Sequence, residues 1–126
     1  DIAVPRSAMV AFRAEAIAMM DERFPFLRLY DFGHWADGGV HFNIVWPKEA
    51  EQKPDDATIE SLRIAIYDLV VRSYGGSFSA EHGVGPYNER FYHRYTADTV
   101  QEFAGRVQSA IDPKHVLGQV WFGPER

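Results

Sequence analysis

Two short segments of this chain hold residues of types and spacings that can do chemistry. Gly76-Ser77-Phe78-Ser79-Ala80-Glu81-His82-Gly83-Val84-Gly85 sets a carboxylate beside an imidazole and closes on glycines. Upstream, Gly33-His34-Trp35-Ala36-Asp37-Gly38-Gly39-Val40-His41-Phe42-Asn43 places two histidines and an asparagine around an Asp-Gly-Gly turn. Histidine and glutamate side chains together can hold a divalent metal ion or take the proton of a hydroxyl group.

The elements that must position these residues follow from pattern. Asp37-Gly38-Gly39 is a strong turn signal. The turn joins Phe26–Phe32, which alternates in part, to a returning strand over Val40–Trp46. His34 and His41 then flank the turn on opposite strands, with their imidazoles on one face. Asn43 shares that face because side chains alternate with period two. Glu81 or His82 reaches the same site if a short strand over Ser77–Ala80 lies alongside. Two neutral imidazoles and a carboxylate suit Zn²⁺, Fe²⁺ or Mn²⁺, with positions left open for substrate oxygens. From spacing alone, two such histidines are more often unrelated surface or core residues than metal ligands. His93 and His115 carry no such constellation and read as surface side chains, and Arg90, Tyr92 and Arg94 read as a solvated polar face.

Around the hairpin, Ile2–Val4 reads as a strand ended by Pro5, and Ser7 as the N-cap of a helix to about Arg23, broken at Pro25. The second helix is capped by Asp55 or Asp56 and shows Ile59, Leu62, Ile66, Leu69 and Val70 at helical spacing until Gly75-Gly76 stops it. A last helix, from about Thr96 to Ile111, presents Val100, Phe103, Ala104, Val107 and Ile111 on one face. Asp112-Pro113 ends it. An irregular tail follows, with Val116, Leu117, Val120, Trp121 and Phe122 as docking candidates. The order strand–helix–strand–strand–helix–strand predicts an α+β fold of the ferredoxin-like split βαβ (βαββαβ) kind, an antiparallel sheet with an added C-terminal helix and tail.

The 126 residues fit one domain, and nine Phe, six Tyr and three Trp supply a core. A formal net charge of −5 without any basic run argues against a nucleic-acid partner. No apolar stretch is long enough for a transmembrane segment. The lack of Cys excludes disulfides and thiolate metal sites. Opening within a strand, at Asp1-Ile2-Ala3-Val4-Pro5, makes a piece excised from a longer protein the expectation.

The two motifs resemble the C-terminal cap domain of FAD-linked 2-hydroxy-acid dehydrogenases of the vanillyl-alcohol-oxidase superfamily, which includes D-lactate dehydrogenases, the glycolate oxidase FAD subunit and D-2-hydroxyglutarate dehydrogenases. The family pattern GH-x-GDGN-x-H-x-N is similar to Gly33–Asn43, and S-x-EHG-[IV]-G to Ser79–Gly85. Ile111-Asp112-Pro113-Lys114 resembles the family's late LDPK segment, and Asp1–Ser7 its D-[IV]-[AS]-[VL]-P-x-S. The likeness spans essentially the whole chain in order. It implies that His34, His41 and Glu81 are metal ligands, usually for zinc. It implies further that His82 takes the substrate hydroxyl proton while hydride moves to FAD, and that Asn43 and His82 contact substrate. The partners implied are a small 2-hydroxy acid and an FAD-binding domain of the same parent chain. The implied setting is the cytoplasm, or a membrane periphery reached through the parent enzyme, and activity falls in acid.

The chain departs from the family at Ala36, where Gly is usual, at Gly39, where Asn is usual, and at Pro86-Tyr87-Asn88, where many members carry Lys or Arg. Leu117-Gly118-Gln119-Val120 stands in place of the late NPGK. No glycine-rich phosphate loop precedes a helix, so residues that bind the cofactor are not assigned. The isolated chain is accordingly expected to be inactive, and its uncovered sheet face to promote self-association. The competing expectation is a stand-alone ferredoxin-like binding or interaction module without redox activity. A metal-dependent hydrolase built on His34, His41 and Glu81 lacks a nucleophile and a second-metal set.

Overall fold

A computed structural model describes residues 1–125. It divides into two compact units, Asp1–Glu81 and His82–Arg126.

The first unit contains β1 (Ile2–Ala3), α1 (Met9–Arg23), β2 (Arg28–Phe32), β3 (Gly39–Val45) and α2 (Asp56–Asp68). The strands form an antiparallel sheet in the order β1-β3-β2. Ser77 adds one antiparallel bridge to Ala3, closed by reciprocal backbone hydrogen bonds of 2.9 and 2.8 Å. The fourth strand expected over Ser77–Ala80 is thus reduced to this bridge, because the Ser77 hydroxyl turns the chain by bonding the Ser79 carbonyl.

Along β3 the pleat separates two jobs. Val40 and Phe42 point into the core, whereas His41 and Asn43 point to the other face. The core joins those strand residues to Met9, Phe12, Ala16 and Met20 of α1 and to Leu62, Ala65 and Ile66 of α2. Phe12 meets Phe42 at a ring-centroid distance of 5.7 Å. On the opposite face Tyr30 and Phe32 remain 60% and 56% exposed, so neither helix covers that side.

Asp55 caps α2 by accepting a hydrogen bond from the Thr58 N–H at 2.8 Å, one of the two caps expected. Ser7 makes no cap. It lies inside a 3-10 turn, Arg6–Ala8, whose entry is set by Pro5. After Asp68 the helix widens into a π turn, Leu69–Ser73, before the glycines end it. Arg13 of α1 grips Asp31 of β2 with two parallel hydrogen bonds, of 2.5 and 3.0 Å. Those bonds hold the Asp31 carboxyl below the usual carboxylate range.

The second unit pairs α3 (Gly85–Tyr95) with α4 (Asp98–Ile111) and an irregular tail. The sequence pattern did not predict α3, which opens on Gly85-Pro86. His93 is not a surface side chain as expected. It is half-buried, with Nδ1 2.9 Å from Oε1 of the buried Gln101, whose amide also donates to the His93 and Thr96 carbonyls. Tyr92 is likewise buried, and its hydroxyl donates to the Phe122 carbonyl at 2.9 Å. The tail is strapped down by Glu89, Gln108 and Asp112, each of which accepts hydrogen bonds from tail N–H groups. Of the expected docking residues, Val116 and Leu117 remain exposed, as do Val100, Phe103, Val107 and Ile111 on α4. Among the described residues no helix is long and apolar enough to cross a membrane.

Candidate metal and substrate site

His41 sits on β3 opposite Phe32 of β2, with the two rings 5.2 Å apart between centroids. β2 ends at Phe32, so His34 lies in the turn and not on the strand as expected. Its carbonyl accepts hydrogen bonds from the N–H groups of Asp37, Gly38 and Gly39 at 3.0 to 3.2 Å. The Asp37 carboxylate adds a second contact to the Gly39 N–H at 3.1 Å. This tight turn holds the His34 backbone and brings its ring edge-on to His41, with centroids 6.0 Å apart.

Glu81 arrives from the opposite side of β1. The Ala3–Ser77 bridge fixes the start of its segment, and buried Phe78, packed on Tyr67, anchors the middle. The Glu81 carboxylate then spans both imidazoles. Oε1 stands 3.1 Å from His41 Nε2, and Oε2 stands 3.6 Å from His34 Nε2. Together with Asp1 and Asp37 these residues line a cleft of about 370 Å³.

Imidazole nitrogens and carboxylate oxygens are donor types that a divalent ion takes. Bond lengths of ~2.0–2.2 Å in a tetrahedral site put neighbouring ligand atoms roughly 3.3–3.6 Å apart. The Glu81–histidine separations of 3.1 and 3.6 Å are near that spacing but run to different oxygens of the carboxylate. The described group whose ligand atoms all lie within 4.8 Å of one another includes Asp1, His41 and Glu81 but not His34.

Of the other site residues expected from sequence, Asn43 is placed less tightly. Asn43 is exposed on the same face as His41, across the ladder from Tyr30. Two residues along a strand set it ~6.6–6.8 Å from His41. His82 follows Glu81 in the chain, is exposed, and opens the second unit. Sequence reasoning gave Asp1 no role in the site. Its ligand atoms nevertheless lie within 4.8 Å of those of His41 and Glu81. The available signal was the strand register, which continues from Ile2↔Val40 to set Asp1 opposite His41.

Residues 1–119 match the family model described as FAD linked oxidases, C-terminal domain. The chain belongs to that family. It is similar to a D-2-hydroxyglutarate dehydrogenase of Stutzerimonas stutzeri, 30% identical over 93% of this chain and 25% of the relative. A D-2-hydroxyglutarate dehydrogenase of Xanthomonas citri is also 30% identical over 93% of this chain, but only 24% of that relative is covered. For a D-2-hydroxyglutarate–pyruvate transhydrogenase of Saccharomyces cerevisiae the figures are 30% identity, 88% of this chain and 21% of the relative. This FAD-linked oxidase C-terminal domain therefore spans about a quarter of the length of these curated relatives.

Proposed function

We propose that this domain provides the metal- and substrate-binding side of the active site of a flavin-dependent dehydrogenase that converts a D-2-hydroxy acid to the 2-oxo acid. The observation that carries the reading is the convergence of His34, His41 and Glu81, at 3.1 and 3.6 Å, on the open face of the sheet. Family membership supports the flavin, and the names of the relatives make D-2-hydroxyglutarate the first substrate to test, with D-lactate and glycolate after it.

His34, His41 and Glu81 would hold a divalent ion, zinc first among the candidates. Such an ion would supply Lewis-acid polarisation of substrate oxygens, and a flavin held by the rest of the protein would supply the hydride acceptor. His82 accepts the hydroxyl proton as C2 is oxidised, so one proton and one hydride leave the substrate and the 2-oxo acid remains. Asn43 donates its amide to a substrate carboxylate from the same sheet face.

The test uses the flavin-loaded full-length protein. Elemental analysis is expected to find stoichiometric metal in the wild type and its loss in His34→Ala and His41→Ala. His82→Ala is expected to retain metal and flavin while turnover falls by ~10²–10⁴, the usual worth of a positioned general base. Normal turnover in that variant removes His82 from catalysis. A full-length protein that holds neither flavin nor metal would favour the interaction-module reading.

A further inference from the structure

Beyond the three ligand candidates, we infer that Asp1 is a positioning residue of this site, orienting His41 from behind and setting the reach of Glu81. The inference rests on the reading that His34, His41 and Glu81 hold a divalent ion.

The two ring nitrogens of His41 face two different carboxylates. Nε2 is 3.1 Å from Glu81 Oε1, and Nδ1 is 3.8 Å from Asp1 Oδ1. A neutral imidazole carries one N–H; with a metal ion taking the Nε2 side, where Glu81 is otherwise the nearer carboxylate, Asp1 facing Nδ1 would favour the proton there. Nε2 then keeps its lone pair directed toward Glu81 and the cleft, which is the form a metal requires. In carboxylate–histidine–metal relays a hydrogen-bonded outer carboxylate fixes tautomer and ring orientation, and Asp1 stands on that side of His41 at a longer distance. The 3.8 Å spacing is longer than a hydrogen bond, so Asp1 acts on the polar ring of His41 chiefly through its charge.

The other oxygen of Asp1 has a separate task. Oδ2 accepts a hydrogen bond from the Ala80 N–H at 3.1 Å, one residue before Glu81. One carboxylate thus touches the ring of one ligand candidate and the backbone leading to another. Register explains how a residue so distant in sequence arrives there. Ile2 pairs with Val40 and faces the core, so Asp1 and His41 are the next cross-strand neighbours and face away from it. Exposure separates the roles. The Asp1 side chain is 12% exposed and the Glu81 side chain 50%, which places Asp1 deep in the cleft and Glu81 at its mouth.

Asp1→Asn discriminates this role from a merely structural one. Its amide oxygen still accepts from the Ala80 N–H, but its NH₂ donates toward Nδ1 and favours the tautomer whose Nε2 carries hydrogen. Zinc affinity is measured by chelator competition on the flavin-loaded full-length protein, alongside the melting temperature of the metal-free form. For Asp1→Asn the expectation is a ~10–100-fold loss of zinc affinity, as for other outer carboxylates, with metal-free melting unchanged. Asp1→Ala is expected to lose both, and if it fails to fold, Asp1→Asn decides alone. Zinc bound by the wild type and equally well by Asp1→Asn overturns the role of Asp1 and leaves the metal site standing. Metal-free melting lowered as far in Asp1→Asn as in Asp1→Ala also overturns it, in favour of a structural contact. Absence of zinc from the wild type overturns both readings together.

Discussion

Gly38→Ala should disable the site without touching a proposed ligand. Gly38 has φ of +98°, and a Cβ there would lie 2.3 Å from the Val4 carbonyl oxygen. That oxygen belongs to backbone, so relief requires a shift of about 1 Å to reach ordinary contact. The Gly38 carbonyl itself accepts from the Val4 N–H at 3.1 Å, and such a shift breaks that bond. Left-handed backbone in a non-glycine residue costs ~1–2 kcal/mol and a lost backbone hydrogen bond ~0.5–1.5 kcal/mol. The sum is about 1.5–3.5 kcal/mol. Gly75→Ala is the control, because φ is +61° there but nothing lies within 4 Å of the added Cβ. It carries the backbone cost alone, about 1–2 kcal/mol. Thermal unfolding of the full-length protein reads the difference. Chelator competition should further show weakened zinc binding only in Gly38→Ala, because the displaced turn is the one bonded to the His34 carbonyl. Equal melting and equal zinc affinity in the two variants would refute the argument that the turn's closeness to β1 positions His34.

Other consequences concern the scaffold. Arg13→Ala leaves the Asp31 carboxylate, 6% exposed, without its two-bond partner, and should cost ~1–3 kcal/mol at neutral pH by urea unfolding. Asp31 is depressed in the folded state by its hydrogen bonds to Arg13, so its contribution is full above the unfolded carboxylate value, ~3.9. That contribution disappears as pH falls through the lower folded value, so the gap between wild type and Arg13→Ala should close in strong acid. A gap that stays constant through that range falsifies the assignment. Gln101→Leu removes the partner of His93 Nδ1 and the donor to two carbonyls, and should destabilise the α3–α4 pair by ~2–4 kcal/mol. Amide hydrogen exchange confined to 85–111 would register it, and unchanged protection there would count against the network.

Three of the four α-helices and the central hairpin were legible because short-range rules dictate them. The Asp37-Gly38-Gly39 turn, the alternation along 40–45 and the Asp55 cap all act over a few residues. What escaped depends on partners far along the chain. The helix Gly85–Tyr95 has four aromatic residues and a charged surface but little apolar stripe, and it is held by the tail through contacts such as Tyr92 to Phe122. On α4 the apolar stripe read from spacing is the exposed side, whereas Gln101 and Gly105 are buried. Periodicity reveals that a helix has two faces; it does not say which face this unit buries when a polar network fills the junction.

The site follows a different logic, because strand register ties its chemistry to the core. Burying Val40 and Phe42 obliges His41 and Asn43 to the opposite face, and the pairing Phe32↔His41 fixes where along β2 that face meets the turn. A slip of one residue would bury His41 and expose Phe42, so hydrophobic burial rejects it strongly. The same constraint carries Asp1 to His41, since burial of Ile2 beside Val40 leaves Asp1 no other face. His34 and His41 could be read as a pair because one hairpin contains both. Asp1 could not, because its partner lies forty residues away across a ladder of only two pairs. The same core burial therefore stabilises the sheet and aligns Asp1 with His41, and substitutions at Ile2 or Val40 that weaken packing should disturb the site before they unfold the unit.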